Sequence, residues 1–425
     1  MKNYLLLIPV LVIMSCSSEK PGQITQVQDY EAFLLSKEAK NTSKYFELWN
    51  NKIKPDSMQL LSFGIVAGEY SRYFQNTGDI QQLKKAEYAL KKAVEIAAIG
   101  KSDYQRSLAR NYISQHRFKE ALVLAQQALA MGSGVAESEK LLFDIHMELG
   151  NYQLAEGFLN NIKDMSDFGY LIRLAKWNDH LGDLNTAILF MEKATKKVES
   201  SKDTALMLWA YTNLADYYGH AGRIKESYQL YLKSLHIDPT NAYAKKGIAW
   251  IIFSHERNPM EALRIVNSVA ENNKSPEYDL LKAEIAAYMG KESEQMENMD
   301  HYFLAVNNAA YGPMYNAMNI RLYLEETAQY DKALDMAKIE VANRPTPEAY
   351  GLLAYSYFKL GEHEKALQLV EEYIVGKTFE PATLFAAATI YNTMGEFDKA
   401  KGLKEELLGA VYELGPSMEQ KVNRL

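Results

Sequence analysis

The amino-acid sequence has the composition of a folded protein built mainly from helices. It contains 425 residues, of which 48% are hydrophobic and 24% are charged, and 29 tyrosines accompany few strand signals. The formal net charge is -7, and no basic run or stripe occurs. Because an acidic surface repels phosphate groups, nucleic acid and an anionic membrane face are unfavourable partners. The single cysteine, Cys16, excludes a disulfide framework.

Residues 1–15 have the pattern of a secretory signal peptide. Lys2 precedes an apolar run from Tyr4 to Met14, which is too short to span a bilayer. The segment Ile13-Met14-Ser15-Cys16 resembles the lipoprotein box of bacteria, and the resemblance implies that Cys16 is lipidated and becomes the new N-terminus. A serine rather than an aspartate follows the cysteine, which by the same resemblance favours the outer membrane, on its periplasmic or its surface face. A buried first helix with a free thiol is the alternative.

Two regions separate Cys16 from the first regular pattern. Residues 16–28 are mostly polar and contain Pro21-Gly22, so we expect a flexible tether that reaches up to roughly 40 Å from the membrane. Residues 29–56 contain two helical patterns, YEAFLLSKEAK and SKYFELWNNKI. We expect these helices to cap the N-terminal end of the structure that follows.

The clearest structural unit lies between Trp209 and Asn241. Its two halves each place apolar and small residues at the i, i+3, i+4, i+7 positions of one helix face. Gly222 provides the left-handed backbone that ends the first helix, and Pro239 cannot continue the second. The faces comprise Tyr211, Leu214, Ala215 and Tyr218, then Ser227, Leu230, Tyr231, Ser234 and Leu235. The sequence therefore predicts an antiparallel helical hairpin that needs a neighbour on each side to cover its apolar faces.

This unit resembles the tetratricopeptide repeat, a helix-turn-helix motif of 34 residues. The matching positions are Tyr211, Leu214, Ala215, Tyr218, Gly222 and Pro239, whereas Ser227 replaces the usual alanine of the second helix. The corresponding residue recurs along the chain at steps of 32 to 40 residues, at Ala86, Ala121, Ala155, Ala187, Ser227, Ala262, Gln295, Ala333, Ala366 and Ala400. The register predicts an all-α fold of about ten hairpins over residues 57–414, and the resemblance implies that they form a right-handed α-solenoid.

Two longer steps in this register indicate insertions. The 40-residue step before Ser227 places extra length in residues 197–204, KVESSKDT, which we expect to form a solvated loop. The 38-residue step before Ala333 surrounds residues 307–313, and Gln295 is large and polar where a small residue is expected. The stack is expected to kink here, or the repeat to be degenerate. After the last unit, residues 415–425 are expected to form a loose helix or to fray.

No arrangement of residues predicts catalysis or metal binding. The eight histidines are scattered, and the two closest, His220 and His236, are 16 residues apart. His255-Glu256 lacks the second histidine that a zinc peptidase helix requires. The sequence contains no glycine-rich phosphate loop and no G-x-S-x-G motif. We therefore expect no enzyme activity, no metal and no cofactor.

In repeat proteins of this kind, the first helix of each hairpin lines a concave groove, so the resemblance implies a partner-binding surface there. The inward positions are Arg106, Arg110, Lys140, Asp144, Lys176, Asp179, Thr212, Asp216, Glu284, Tyr355, Phe358, Phe385, Thr389 and Asn392. Basic candidates lie early in the chain and aromatic ones late. The family's clamp on a peptide carboxylate is not supported, because its paired asparagines are missing. The competing interpretations are a solvated helix face for the arginines and core packing for the aromatic residues.

Three classes of function fit these patterns. The leading hypothesis is a scaffold, anchored in a bacterial cell envelope, that binds a protein or peptide partner in its groove. A surface lipoprotein that captures a glycan or nutrient is the alternative, but such proteins usually carry irregular regions with exposed tryptophans. Here the tryptophans, Trp49, Trp177, Trp209 and Trp250, all lie within helical patterns. An enzyme with an unrecognised active site is the third, and the almost continuous series of repeats argues against it.

Overall fold

The computed structural model describes residues 22–35, 46–53 and 59–425. The proposed signal peptide, Cys16 and parts of the expected tether and N-terminal cap lie outside these ranges. Within the described ranges, every regular element is a helix and no strand is present. Two short helices, α1 (Val27–Leu34) and α2 (Phe46–Asn50), come first.

Ten helical hairpins then follow one another, which confirms the predicted α-solenoid. They are α3 (Leu60–Thr77) with α4 (Ile80–Ile96), α5 (Lys101–Ser114) with α6 (Phe118–Ala130), α7 (Val135–Glu148) with α8 (Tyr152–Asn161), α9 (Phe168–His180) with α10 (Leu184–Ser201), α11 (Thr204–His220) with α12 (Ile224–Ile237), α13 (Ala242–Trp250) with α14 (Pro259–Ala270), α15 (Glu277–Tyr288) with α16 (Glu292–Val306), α17 (Asn316–Glu325) with α18 (Tyr330–Asn343), α19 (Pro347–Lys359) with α20 (His363–Tyr373), and α21 (Pro381–Thr393) with α22 (Phe397–Gly409). The chain ends with α23 (Val411–Leu414) and α24 (Pro416–Asn423).

The small residue that defines the register lies where the two helices of a hairpin meet. Nine of the ten members are buried, with relative exposures of 0 to 2%, because only a small side chain lets two helices approach closely. Gln295 is the exception. It is half-buried, and its side-chain amide donates to Glu326 of the next hairpin at 2.9 Å.

The two insertions have different structural outcomes. The expected loop at residues 197–204 is wrong, since α10 continues to Ser201 and α11 begins at Thr204. Lys202 adopts a left-handed backbone with φ 56°, and Asp203 caps α11 by accepting from the amide of Leu206, so two residues suffice for the turn. The break at residues 307–313 is confirmed, as a 3-10 segment, Ala309–Tyr315, interrupts the stack with a non-helical Gly312.

The first helices of the hairpins form the inner layer of the stack. Five pairs of consecutive first helices pack on each other, whereas consecutive second helices of the described chain do so less extensively. The pairs in contact are α5 with α7, α7 with α9, α11 with α13, α17 with α19 and α19 with α21. On a curved stack the inner layer is the more closely spaced one, so the first helices line the concave groove.

The stack winds into a superhelix whose successive turns touch each other. The bridging contacts are Lys274 with Asp79 (2.9 Å), the Asn343 amide with the His116 carbonyl (3.1 Å) and Arg344 with Glu148 (3.2 Å). These partners are 195, 227 and 196 residues apart in the sequence. Because a repeat has about 34 residues, one superhelical turn comprises about six hairpins.

The N-terminal segment, residues 22–34, differs from the expected tether and cap. Instead of hanging free or covering the first hairpin, it packs on α12 and α14 in the middle of the stack. The Thr25 amide donates to the Glu256 carboxylate at 2.6 Å, and Tyr30, with a relative exposure of 1%, donates to Glu261 at 2.7 Å. The helix α2 does pack on α3, as a cap would. For residues 22–28 the tether prediction is wrong, because polar composition does not show that Glu256 offers an acceptor for this segment.

The end of the chain is also ordered, contrary to the loose helix expected for residues 415–425. Pro416 and Val422 of α24 are buried, and Val422 joins a cluster with Leu384 and Leu407 of the last hairpin. The apolar face of the last hairpin would otherwise be exposed, so this helix covers it.

Candidate binding site in the concave groove

The C-terminal segment, residues 411–423, lies against the inner layer of the superhelix. It contacts first helices from both superhelical turns, namely α11, α15 and α21, and also the π-helical turn Ile251–His255 that extends α13. At its far end, Lys421 lies 3.2 Å from Glu325 of α17. The groove therefore holds a short segment of its own chain in a defined position.

Tyr412 is the residue of the segment with the most specific surroundings. Its carbonyl oxygen accepts hydrogen bonds from the Trp250 indole at 3.1 Å and from the Ser254 hydroxyl at 2.7 Å. Its ring packs against Gly219 of α11, where a β-carbon would come within 2.8 Å of a ring carbon. Trp250 and Ser254 are four residues apart and therefore lie on one face of the helix, which continues after Trp250 as a π-helical turn.

Two cavities of the groove meet at Glu413, which follows Tyr412. The first, of about 420 Å³, is lined by His180 and His220 and by five carboxylates, Asp179, Glu348, Glu380, Glu406 and Glu413. The second, of about 560 Å³, has aromatic walls and further carboxylates, with Trp250, Glu284, Glu325, Glu326, Tyr355 and Phe385 among its lining residues. Arg321 and Lys421 are the only lysine or arginine residues on the second cavity's wall, and the first has none, within the part of the chain that the structure describes.

Several carboxyl groups of the groove lie in surroundings that disfavour their negative charge. Asp179 is open to the first cavity, yet desolvation by the surrounding protein raises its pKa, and the charge of Glu413 raises it further. Burial and the charge of Glu413 likewise raise the pKa of Glu380, and Arg321, 3.8 Å away, offsets part of this effect. In the second cavity, burial and the charge of Glu326 raise the pKa of Glu284 to about 7. These groups would all be stabilised by a positive charge placed among them.

Five of the residues predicted from the sequence lie at this site. Asp179 lines the first cavity, and Glu284, Tyr355 and Phe385 line the second. Asp216 lies beside them and accepts hydrogen bonds from the Tyr231 and Tyr243 hydroxyls, the second at 2.7 Å. The superhelix brings these residues together from five different hairpins.

The early basic candidates do not form a binding surface, and this corrects the expected gradient. Arg106 is buried and donates to the Ser133 carbonyl at 2.9 Å and the Ser138 hydroxyl at 3.0 Å. The buried Lys140 pairs with Glu137 and Asp167, at 2.8 and 2.9 Å. Both cations join neighbouring hairpins, because the inner layer is crowded enough to bury a long side chain with its partners.

Most other predicted positions also serve the scaffold. Asp144 pairs with Arg173, Lys176 with Glu148, and the Thr212 and Thr389 hydroxyls bond to carbonyls of their own helices. Phe358 stacks on Tyr355 and His363, with ring centroids 5.7 and 5.2 Å apart. Arg110 is exposed and lines a separate cleft between α3 and α5, and Asn392 lies outside the three cavities described.

The sequence interpretation missed six residues that the fifth, sixth and tenth hairpins and the chain end contribute to this site. They are His220, Trp250, Ser254, Glu380, Tyr412 and Glu413. The repeat register gives no signal for the π-helical turn or for the return of residues 411–423 into the groove. In the described ranges, no group of three or more His, Cys, Asp or Glu side chains could hold a metal ion. No helix there has the length and apolar composition needed to cross a membrane.

The fold defines a class of protein, the α-solenoids built from helical hairpins. Within that class, residues 210–241 and 322–381 match the sequence patterns of the tetratricopeptide repeat. These two stretches of the chain are thus tetratricopeptide repeats, as the resemblance of residues 209–241 implied, and such repeats mediate binding between proteins through their extended concave surfaces. No curated protein matches the sequence significantly.

Several solved structures are similar to this chain. A tetratricopeptide repeat protein from Parabacteroides merdae has 15% identity and a TM-score of 0.39, and the match covers 61% of this chain and 98% of that one. The human IFIT1 dimer with PPP-AAAA has 13% identity and a TM-score of 0.44, covering 90% and 99% of the two chains. The Cut9–Hcn1 hetero-tetramer of APC/C has 11% identity and a TM-score of 0.35, covering 94% and 99%.

Proposed function

We propose that this protein is a lipid-anchored scaffold of a bacterial cell envelope that binds a partner protein through a peptide segment held in its concave groove. The observation that carries the proposal is the C-terminal segment, because the groove already accommodates a short stretch of polypeptide. Its carbonyl recognition by Trp250 and Ser254 does not depend on the identity of the side chain. The anchor rests on the sequence around Cys16.

The location of the N-terminal segment has a consequence for the anchor. Since the Ile24 amide donates to Glu256 at 2.8 Å, about eight residues would connect a lipidated Cys16 to the superhelix. At about 3.3 Å per residue they span at most about 26 Å. The scaffold would therefore lie close to the membrane, with the surface around α14 nearest to it.

Cross-linking in cells that produce tagged variants tests the proposal. We expect the wild-type protein to sediment with membranes together with cross-linked partners, and a Cys16→Ser variant to move to the soluble fraction. A variant with Tyr355→Ala and Phe385→Ala should stay in the membrane fraction and lose its partners, because both residues form groove walls. A matched control, Tyr88→Ala with Phe397→Ala, removes two aromatic side chains that are 57 and 66% exposed on second helices.

Partners that are retained by the groove variant and lost by the control would place binding on the outer surface and contradict the groove proposal. Membrane association of Cys16→Ser would contradict the anchor. A glycan-array screen of the same soluble variant distinguishes the scaffold from the glycan-capturing alternative.

A further inference from the structure

The C-terminal segment fits the groove well at Tyr412 and poorly at the next residue. At Tyr412 the fit has two parts, a carbonyl held by two donors and a ring placed where Gly219 has no side chain. Ser254, one of the donors, has a relative exposure of 2%. A hydroxyl buried to this extent needs an acceptor, and the acceptor here is the carbonyl of the bound segment.

At Glu413 the charges are mismatched. On the side of the first cavity its carboxylate faces four carboxylates and two histidines, and of these carboxylates Glu380 is paired with Arg321 of the second cavity at 3.8 Å. The nearest group that can carry a positive charge is His220, 3.9 Å away and charged only when protonated. A carboxylate among like charges is repelled, whereas an ammonium or guanidinium in the same place would be attracted to four carboxylates.

We propose that this part of the groove is a recognition site for a partner segment in which an aromatic residue is followed by lysine or arginine, and that the C-terminal segment occupies the site when the partner is absent. The aromatic residue fills the slot at Gly219, and the cation replaces Glu413 between Asp179 and Glu380. This inference rests on the proposed peptide-binding function and specifies the chemistry of the partner.

A short connection explains why a weak internal ligand can occupy the site. Only four residues lie between Leu407, which is buried in the last hairpin, and Tyr412. So short a connection gives an effective concentration on the order of millimolar. A free segment with the same sequence cannot compete with it. A segment with a cation in place of Glu413 can, because it gains attraction where the internal one is repelled.

Peptide binding to the full chain tests the proposal. The probes are two fluorescent peptides, one with the sequence of residues 408–421 and one with the change Glu413→Lys. The receptor is the full chain with Tyr412→Ala, which vacates the aromatic slot. We expect the Glu413→Lys peptide to bind this receptor at least about tenfold more tightly than the unchanged peptide, and a Glu413→Lys peptide that also carries Tyr412→Ala to lose binding.

A matched pair of receptors locates the binding site. Adding Gly219→Leu to the Tyr412→Ala chain should abolish binding by filling the slot. Adding Gly68→Leu, at a helical glycine with no heavy atom within 4 Å of the added β-carbon, should leave binding unchanged. Circular dichroism of both receptors checks that they fold.

A second measurement does not depend on a free peptide. In the full chain, Glu413→Lys should raise the midpoint of thermal unfolding, whereas Glu413→Ala should raise it less. If both substitutions lower the midpoint, or if folded Tyr412→Ala chain binds neither peptide, the segment is a structural cap of the last hairpin and the proposal is overturned. Equal affinity for the two peptides would also overturn it. Loss of cross-linked partners in the Tyr355→Ala, Phe385→Ala variant would still support the general scaffold function in that case.

Discussion

Glu284 shows how one residue acquires its property from the groove. On α15 the sequence places it at an inward position, but its environment depends on the second superhelical turn and on Gly415, where a β-carbon would come within 2.7 Å of a Glu284 oxygen. Burial and the charge of Glu326 then raise its pKa to about 7. The carboxyl is therefore partly protonated at neutral pH.

This raised pKa predicts a dependence of stability on pH. Since the folded state holds the proton more tightly than the unfolded chain, with its ordinary pKa of 4.5, the folded state loses stability as pH rises from about 4.5 to about 7. Glu284→Gln should remove this loss and be more stable than the wild type at pH 8, by up to about 3 kcal/mol. Urea unfolding at pH 5 and pH 8 measures the difference, which should be small at pH 5.

The control is Glu95→Gln, whose side chain is 64% exposed and should change stability little at either pH. An advantage of Glu284→Gln that is equal at the two pH values would mean that the charge of Glu284 is not the cause.

At the scale of single elements, the N-terminal segment, residues 22–34, forms a latch, a short element held against the outside of the stack by a few contacts. Its contacts with α12, α14 and the turn before α14 include two backbone amides donated to Glu256 and an ion pair of Glu31 with Arg264 at 2.6 Å. Tyr30 is the buried centre of this interface. The hairpins also pack directly on one another through their own helices.

Tyr30→Ala should therefore release the segment without unfolding the superhelix. Removing a buried aromatic side chain costs about 3–5 kcal/mol, which exceeds the stability expected of one short helix held by few contacts. Hydrogen exchange should increase in residues 22–34 while α12 and α14 stay protected. Glu271→Ala, on an exposed residue at the end of α14, is the control. Unchanged protection of residues 22–34, or loss of protection throughout, would contradict the latch.

Elements held by local contacts could be predicted from the sequence, whereas elements held by long-range contacts could not. The hairpins from α3 to α22 follow from contacts within about 40 residues, which leave a period in the sequence. The latch and the C-terminal segment depend on hydrogen-bond partners supplied some 160 to 230 residues away, namely the acceptor Glu256 and the donors Trp250 and Ser254. Such contacts leave no period, so polar composition suggested a free tether and a frayed end.

At the scale of the whole molecule, the superhelix is held together by contacts between successive turns as well as by contacts between adjacent hairpins. Open repeat stacks are stabilised only by adjacent repeats. Here Glu148 of α7 binds both Lys176 of the next hairpin and Arg344 of the next turn, at 2.9 and 3.2 Å. Arg344, at the end of α18, thus couples hairpins that are five repeats apart.

Removing this cation should loosen the superhelix. We expect Arg344→Ala to lower stability by roughly 1–3 kcal/mol, because Glu148 keeps only one of its two partners, and to increase the radius of gyration measured by X-ray scattering. Lys338→Ala is the matched control on the same helix, where the lysine and its partner Asp335 are 51 and 79% exposed. An unchanged radius together with wild-type stability would show that the turns are held by other contacts.

In the groove, some residues could be predicted from the repeat register, whereas others depend on contacts that the register does not specify. Asp179, Asp216, Glu284, Tyr355 and Phe385 could be named from the repeat register, because inward positions recur with the period. Arg106 and Lys140 occupy equivalent positions but are buried between hairpins. Whether such a side chain is buried or exposed depends on whether a carboxylate or carbonyl of the neighbouring hairpin lies within hydrogen-bonding distance. The register does not specify this.

The sequence by itself determined the ten hairpins and their order, since these follow from a hydrophobic period repeated along the chain, and the family resemblance implied the inner position of the first helices. Only the tertiary structure decided that about six hairpins complete a turn and that successive turns touch. It also decided that the C-terminal segment returns into an acidic groove. The small rotation between neighbouring hairpins fixes the curvature, and it accumulates over the whole stack. The pairing of residues some 200 positions apart therefore depends on all the hairpins between them.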